Sequence, residues 1–341
     1  MKTTLGNAQS FALRLCLGLS TAVAAAYGQP YDEISGALGG TGLPAARASS
    51  AGRSIYVLDT GNRRVETFGP GGAYSDQFTH RFDVPSGITM DSSGNIYVKD
   101  GSTHCTVDKF DKAGRFLLKF GACFSGALGP GILDNSGAVT TDPSGNVWVT
   151  SPNYYYVQEF DGNGNYLNMV CFANLGIAGC PAATPFAVQP QGIASDAGGN
   201  LYVTNVYPLS GGSNVVELSN RGVYLASFGG PGAGDGQFNA PWGIAIDRRG
   251  DMYVADSQNN RIQKFDSAGA YLSQFGSAGS GNGQFNCPVA IAFDSGGNVY
   301  VADVGNNRVQ EFDGRGGYLG QFGSPGTGNG QFIAPFGIVT K

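Results

Sequence analysis

A five-residue signature recurs six times along the chain: a hydrophobic residue, an aromatic, valine, a variable position and a polar residue. The copies are Ile55-Tyr-Val-Leu-Asp59, Ile96-Tyr-Val-Lys-Asp100, Val147-Trp-Val-Thr-Ser151, Leu201-Tyr-Val-Thr-Asn205, Met252-Tyr-Val-Ala-Asp256 and Val299-Tyr-Val-Ala-Asp303, spaced 41 to 54 residues apart. Self-similarity at such a period marks an array of supersecondary units, none of which buries its apolar surface alone. Around each signature, β-branched and aromatic residues cluster in short runs separated by Asp-x-x-Gly turns, so each unit reads as four strands. In the fifth unit they are expected at 242–247, 252–256, 261–265 and 270–275. Six such units set radially predict an all-β fold, a six-bladed β-propeller with four-stranded antiparallel blades spanning 51–341.

Composition agrees. The 341 residues include 56 glycines, and charged residues make up 13%, where ~25% is usual. Glycine in a helix interior costs about 1 kcal/mol relative to alanine, whereas hairpin turns require residues that accept positive φ. The net charge is −5, with no run of Lys or Arg, so the electrostatic footprint of a nucleic-acid binder is missing.

The first unit has no strand like Gly-Ile-Ala-Ile-Asp before its signature, but the C-terminus holds one in Phe336-Gly-Ile-Val-Thr340. Pairing that strand with the first blade is expected to close the ring and remove two exposed sheet edges.

The motifs Gly-Asn-Gly-Gln-Phe-x-x-Pro, Gly-Ile-Ala-x-Asp, Gly-Asn-x-Tyr-Val-Ala-Asp and Asn-Asn-Arg-Val/Ile-Gln-x-Phe together resemble the NHL-repeat family. The resemblance runs over about residues 50 to 341 and is strongest at 234–276 and 281–323. It implies that Asp91, Asp142, Asp196, Asp247 and Asp294 open the turn after each innermost strand. It further implies that Asn260, Arg261, Asn307 and Arg308 tie a loop at the other end of their blades. The family includes sensor domains, protein- and RNA-binding modules and, among its relatives, lyases and lactonases, so the fold alone does not decide function. The RING-type Cys/His pattern of ubiquitin ligases that carry these repeats is absent from this sequence.

Lys2 followed by the apolar stretch 11–26, ending in small residues, has the form of a secretory signal, though Arg14 interrupts it. Residues 1–26 are therefore expected to be a signal peptide and 27–50 a linker, making the mature protein secreted or periplasmic, with no membrane span. In an oxidising compartment close cysteines cross-link. Cys171 and Cys180 bracket a short loop, and Cys105 and Cys123 flank the two strands of one hairpin at the same end. Cys287 is then the odd one out, a small buried apolar side chain.

Two histidines, His80 and His104, are too few for a three-histidine zinc site. No Gly-x-Ser-x-Gly elbow is present. No catalytic residue is therefore assigned and no cofactor is expected. The alternative is a metal-dependent lyase or lactonase-like enzyme, with Asp59, Asp100, Asp256 and Asp303 facing the central opening as a partial ring around calcium or another divalent cation.

Comparing the units points elsewhere. The loop-tying position is Arg64, Arg261 and Arg308 in units 1, 5 and 6, but Thr106, Tyr156 and Asn214 in units 2, 3 and 4. Units 2 to 4 also carry the insertions 122–136, 171–191 and 206–213, which strand order places on one face. This arc holds Tyr154, Tyr155, Tyr156, Phe172, Phe186 and Tyr207 with few charges, a makeup suited to binding a protein, peptide or glycan.

Overall fold

The computed structural model describes residues 54–101, 103–173, 180, 184, 187–207 and 212–341, with the side chain of Tyr207 outside that set. The expected signal and linker lie outside the described residues. Six four-stranded antiparallel sheets stand around a common axis. The fifth blade has strands at Pro241–Ile246, Met252–Asp256, Arg261–Phe265 and Tyr271–Phe275, within a residue of the expected positions.

The signature works because a strand's side chains alternate between its two faces. In Val299–Asp303, Val299 and Val301 pack against Tyr253, Ala255 and Ile262 of the fifth blade. Tyr300, between them, packs against Ile55, Val57 and Phe68 of the first. Every blade thus serves two interfaces, and each pair of neighbours shares one apolar cluster.

The ring is closed by its last strand. Pro335–Thr340 pairs antiparallel with Ile55–Asp59, with Ile338 opposite Val57, and forms the innermost strand of the first blade. Hydroxyls on or beside the second strands stitch the inner strands together: Thr60 Oγ1 donates to Pro85 O at 2.8 Å, Thr204 Oγ1 to Trp242 O at 2.6 Å and Ser257 Oγ to Pro288 O at 2.7 Å.

The turn aspartates behave as the motif implies. Asp294 Oδ1 accepts the Gly296 and Asn298 N–H groups at 2.7 and 3.0 Å, an Asx turn that Gly297 completes at φ 86°. Asp91, Asp142, Asp196 and Asp247 accept equivalent backbone bonds. These tight turns occupy one end of the blades. Connections between second and third strands, and from each outer strand to the next blade, occupy the other, the loop face. Among the described residues no helix is long and apolar enough to cross a membrane.

Candidate functional site

On the loop face, each blade must hold the connection that enters it from its neighbour. Arg308 does this in the sixth blade: Nε donates to Asp303 at 2.8 Å, Nη1 to Gln321 Oε1 at 2.6 Å, and Nη2 to the carbonyls of Gly281 and Gln284 at 2.8 and 2.7 Å. Arg261 and Arg64 repeat the pattern with Asp256 and Asp59. Asn260 and Asn307 reach the following loop, their side-chain oxygens accepting the Cys287 and Ala334 N–H groups, both at 2.8 Å.

Blades 2 to 4 replace this clamp. In the third, the Tyr156 hydroxyl donates to Ile132 O at 2.6 Å, taking over the arginine's hold on the entering loop 121–138. In the fourth, Asn205 Oδ1 accepts the Gln189 N–H and its Nδ2 donates to Asn214. In the second, Asp100 accepts the Asp83 and Val84 N–H groups, and His104 Nδ1 lies 2.7 Å from its carboxylate. Behind His104, Lys99 is fully buried and donates to the carbonyls of Asp134 and Asp100 at 2.8 and 3.0 Å. Burial brings its ammonium down to about 8, with Asp134, Asp100 and Asp108 pulling the other way.

The elaborated arc is stapled by two disulfides, Cys105–Cys123 and Cys171–Cys180, both as expected. Cys287 is buried with Trp242, Val289 and Phe336. It is also disulfide-bonded, and so is not the unpaired cysteine the sequence suggested.

The aromatic residues of the arc divide. Tyr156 and Phe172 are core, not surface: Tyr156 packs with the Cys171–Cys180 bridge, and Phe172 sits in the cluster between blades 3 and 4. Both are withdrawn as ligand-facing side chains, because a ring almost wholly removed from water presents nothing to a partner. Tyr155 is half-buried against that same cluster, at a positive φ of 54°, close to the 53° and 51° of Asn260 and Asn307 in blades 5 and 6. Phe186 and the Tyr207 side chain lie outside the described residues. Tyr154 is partly exposed, and beside it stands a residue the sequence reading missed. Phe124, next to the Cys105–Cys123 bridge, is 49% exposed with its ring 6.3 Å from Tyr154, whose ring lies 5.7 Å from Tyr156. Three rings therefore step from core to solvent, with Leu128 packed at their base.

The four aspartates of the alternative reading are not brought together. Asp59, Asp256 and Asp303 are buried and bound within their own arginine clamps, and Asp100 is bound by its own loop and His104. None lines the axial opening, a space of about 90 Å³ walled by backbone and by side chains that include Ile88, Ile193, Ile244 and Ile338. Its one hydroxyl, on Ser86, is spent on Gly137 O, and Trp242 packs edge-on against Phe336 in that wall. The side chains of this lining bring no carboxylate to a hard cation, which takes six or more oxygen ligands. Among the described residues no cluster of three or more His, Cys, Asp or Glu has a metal-holding arrangement.

The clamp motif also identifies the repeat. The family model described as the NHL repeat matches residues 238–265 and 285–312, which contain the Arg261 and Arg308 clamps. The chain carries two NHL repeats. By sequence the chain is similar to protein lin-41 of Caenorhabditis elegans, 49% identical over 55 residues, which make up 16% of this chain and 5% of that protein. The match thus spans about a twentieth of that relative's length. By fold it is similar to a chain in the nidogen/laminin complex, with a TM-score of 0.61 at 16% identity, covering 85% of this chain and 98% of the other. Streptogramin B lyase shares the architecture at a TM-score of 0.51 and 16% identity, over 71% of this chain and 69% of the lyase. At that identity these likenesses concern the fold alone.

Proposed function

We propose that this NHL propeller is a binding module that takes a protein or peptide ligand on the loop face of blades 2 and 3, around Phe124 and Tyr154, in an extracytoplasmic compartment. The observation that carries this reading is the half-exposed Phe124 ring, backed by Tyr154 and flanked by two disulfide staples. A large aromatic held on a rigid scaffold loses little side-chain freedom on binding and removes a large apolar area from water, which is why such residues dominate binding energy. The nidogen/laminin structure supports the reading, since there a propeller of this architecture belongs to a protein complex. The disulfides support an oxidising location.

The test is to select displayed peptides on the purified chain, screen a glycan array in parallel, and repeat both with the Phe124→Ala/Tyr154→Ala variant. Peptides selected on the original chain are expected to bind the variant at least ~30-fold more weakly, the equivalent of a hot spot of about 2 kcal/mol. Equal binding by a folded variant, or a glycan ligand indifferent to both substitutions, would reject the reading.

A further inference from the structure

Blades 1, 2, 3, 5 and 6 place an amide or a carboxyl at one equivalent buried position in the third strand; in blade 2 it is Asp108, which accepts the Thr106 hydroxyl. In blades 3, 5 and 6 it is Gln158, Gln263 and Gln310, each fully buried. Their Oε1 atoms accept the N–H of Gly131, Gly236 and Gly283 at 2.8, 2.9 and 2.9 Å. Their Nε2 atoms face acceptors only. Gln263 donates to Gln237 O at 2.6 Å and to Asp256 Oδ2 at 3.1 Å, and Gln310 to Gln284 O at 2.7 Å and Asp303 Oδ2 at 3.2 Å.

In the first blade that position is Glu66. Its side chain is fully buried, and Oε1 accepts the Gly330 N–H at 3.0 Å, as in the glutamine blades. Oε2 therefore stands where the amide nitrogen stands elsewhere, and the corresponding acceptors are Gln331 O and Asp59 Oδ2. Oε2 has no hydrogen-bond partner as an unprotonated oxygen. A buried oxygen turned toward other acceptors is costly, and a single proton converts it into the donor that the site is shaped for.

We propose that Glu66 binds a proton on Oε2 when the ring is closed and releases it to solvent as pH rises, so that closure of this propeller is pH-sensitive. The charge balance agrees. Blades 5 and 6 hold one arginine and one aspartate around a neutral amide. Blade 1 matches them only if Glu66 is neutral, since Arg64 is already paired with Asp59 at 2.9 Å and lies 3.4 Å from Glu66 Oε1. The other titratable group facing it is the Tyr74 phenol on the outer strand. The loop 323–334 contributes the Gly330 N–H. Burial holds the Glu66 carboxyl above the ordinary carboxylate value, opposed by the Gly330 N–H and Arg64. A carboxyl raised in this way favours the closed fold at low pH, and that contribution fades as pH rises through its folded value.

The location gives the proton its leverage. Glu66, Arg64, Asn62 and Asp59 all grip the loop that leads into the closing strand, through Gly330, Gln331, Gly326 and Ile333. Ionising Glu66 places an uncompensated charge at the seam of the ring.

The test compares unfolding of the full chain with its Glu66→Gln and Gln310→Glu variants from pH 5 to pH 9. Glu66→Gln should match the original chain at pH 5 and become progressively more stable relative to it as pH rises, by up to tenfold in the folded-to-unfolded ratio per pH unit. Gln310→Glu should acquire a second loss of the same sign. An infrared band of a protonated carboxylic acid should be present in the original chain at pH 6, weaker in Glu66→Gln and stronger in Gln310→Glu. Parallel pH profiles for the original chain and Glu66→Gln would overturn the proposal. So would absence of the band from the original chain, which decides the matter even if a variant fails to fold.

Discussion

A buried guanidinium that satisfies one carboxylate, one amide and several carbonyls cannot be removed without leaving those groups stranded. Arg308→Ala is accordingly expected to destabilise the protein by about 3–5 kcal/mol in denaturant unfolding; a loss below about 1 kcal/mol would mean that the loop holds itself. Lys99 makes a complementary case. Its ammonium is lowered to about 8 in the fold against 10.5 when free, so between those values the unfolded chain binds more protons and stability should rise with pH. The stability of the original chain relative to Lys99→Met should therefore grow between pH 8 and pH 10, and a constant difference would contradict the burial argument. At this scale the sequence was legible where the repeat supplies a comparison. Arg64, Arg261 and Arg308 stood out as loop ties because they align, and Tyr156 stood out as their replacement. That Tyr156 performs the same tie through its hydroxyl, and so is core and not surface, depends on where Ile132 falls in an insertion without repeat counterpart.

Among elements, the insertions of blades 2 and 3 are long loops that need tethers of their own. Breaking the 18-residue Cys105–Cys123 span with a double Cys→Ala change should cost about 3 kcal/mol by the chain-entropy relation, read as a shift in denaturant midpoint. Because Cys123 adjoins Phe124, the same change should weaken ligand capture, whereas the original chain under oxidising conditions should show neither effect. The strands themselves were readable from the sequence to within about a residue, since alternating burial on two faces imposes an aliphatic or Met residue, an aromatic and Val in succession in every blade. Phe124 was not readable. It lies among Cys, Ser, Gly and Ala residues with no periodicity, so its exposure follows from the path of a stapled loop. The aspartates Asp59, Asp256 and Asp303 looked like a ring because they end equivalent strands, but those strands are second from the axis, and each carboxylate turns to its own arginine.

For the whole molecule, a six-fold arrangement of sheets has no free inner edge only if the last strand completes the first sheet. That requirement was visible in the sequence as a missing strand at one end and a spare one at the other, and the pairing of Ile338 with Val57 meets it. Everything proposed for the loop face depends on this closure, because the faces are defined by strand direction around an unbroken ring. Amide hydrogen exchange of the full chain near neutral pH tests it most directly. Pro335–Thr340 and Ile55–Asp59 are expected to be protected together, at a level comparable with Met252–Asp256 in the fifth blade. Rapid exchange across 335–340 while the fifth blade stays protected would contradict the closed ring.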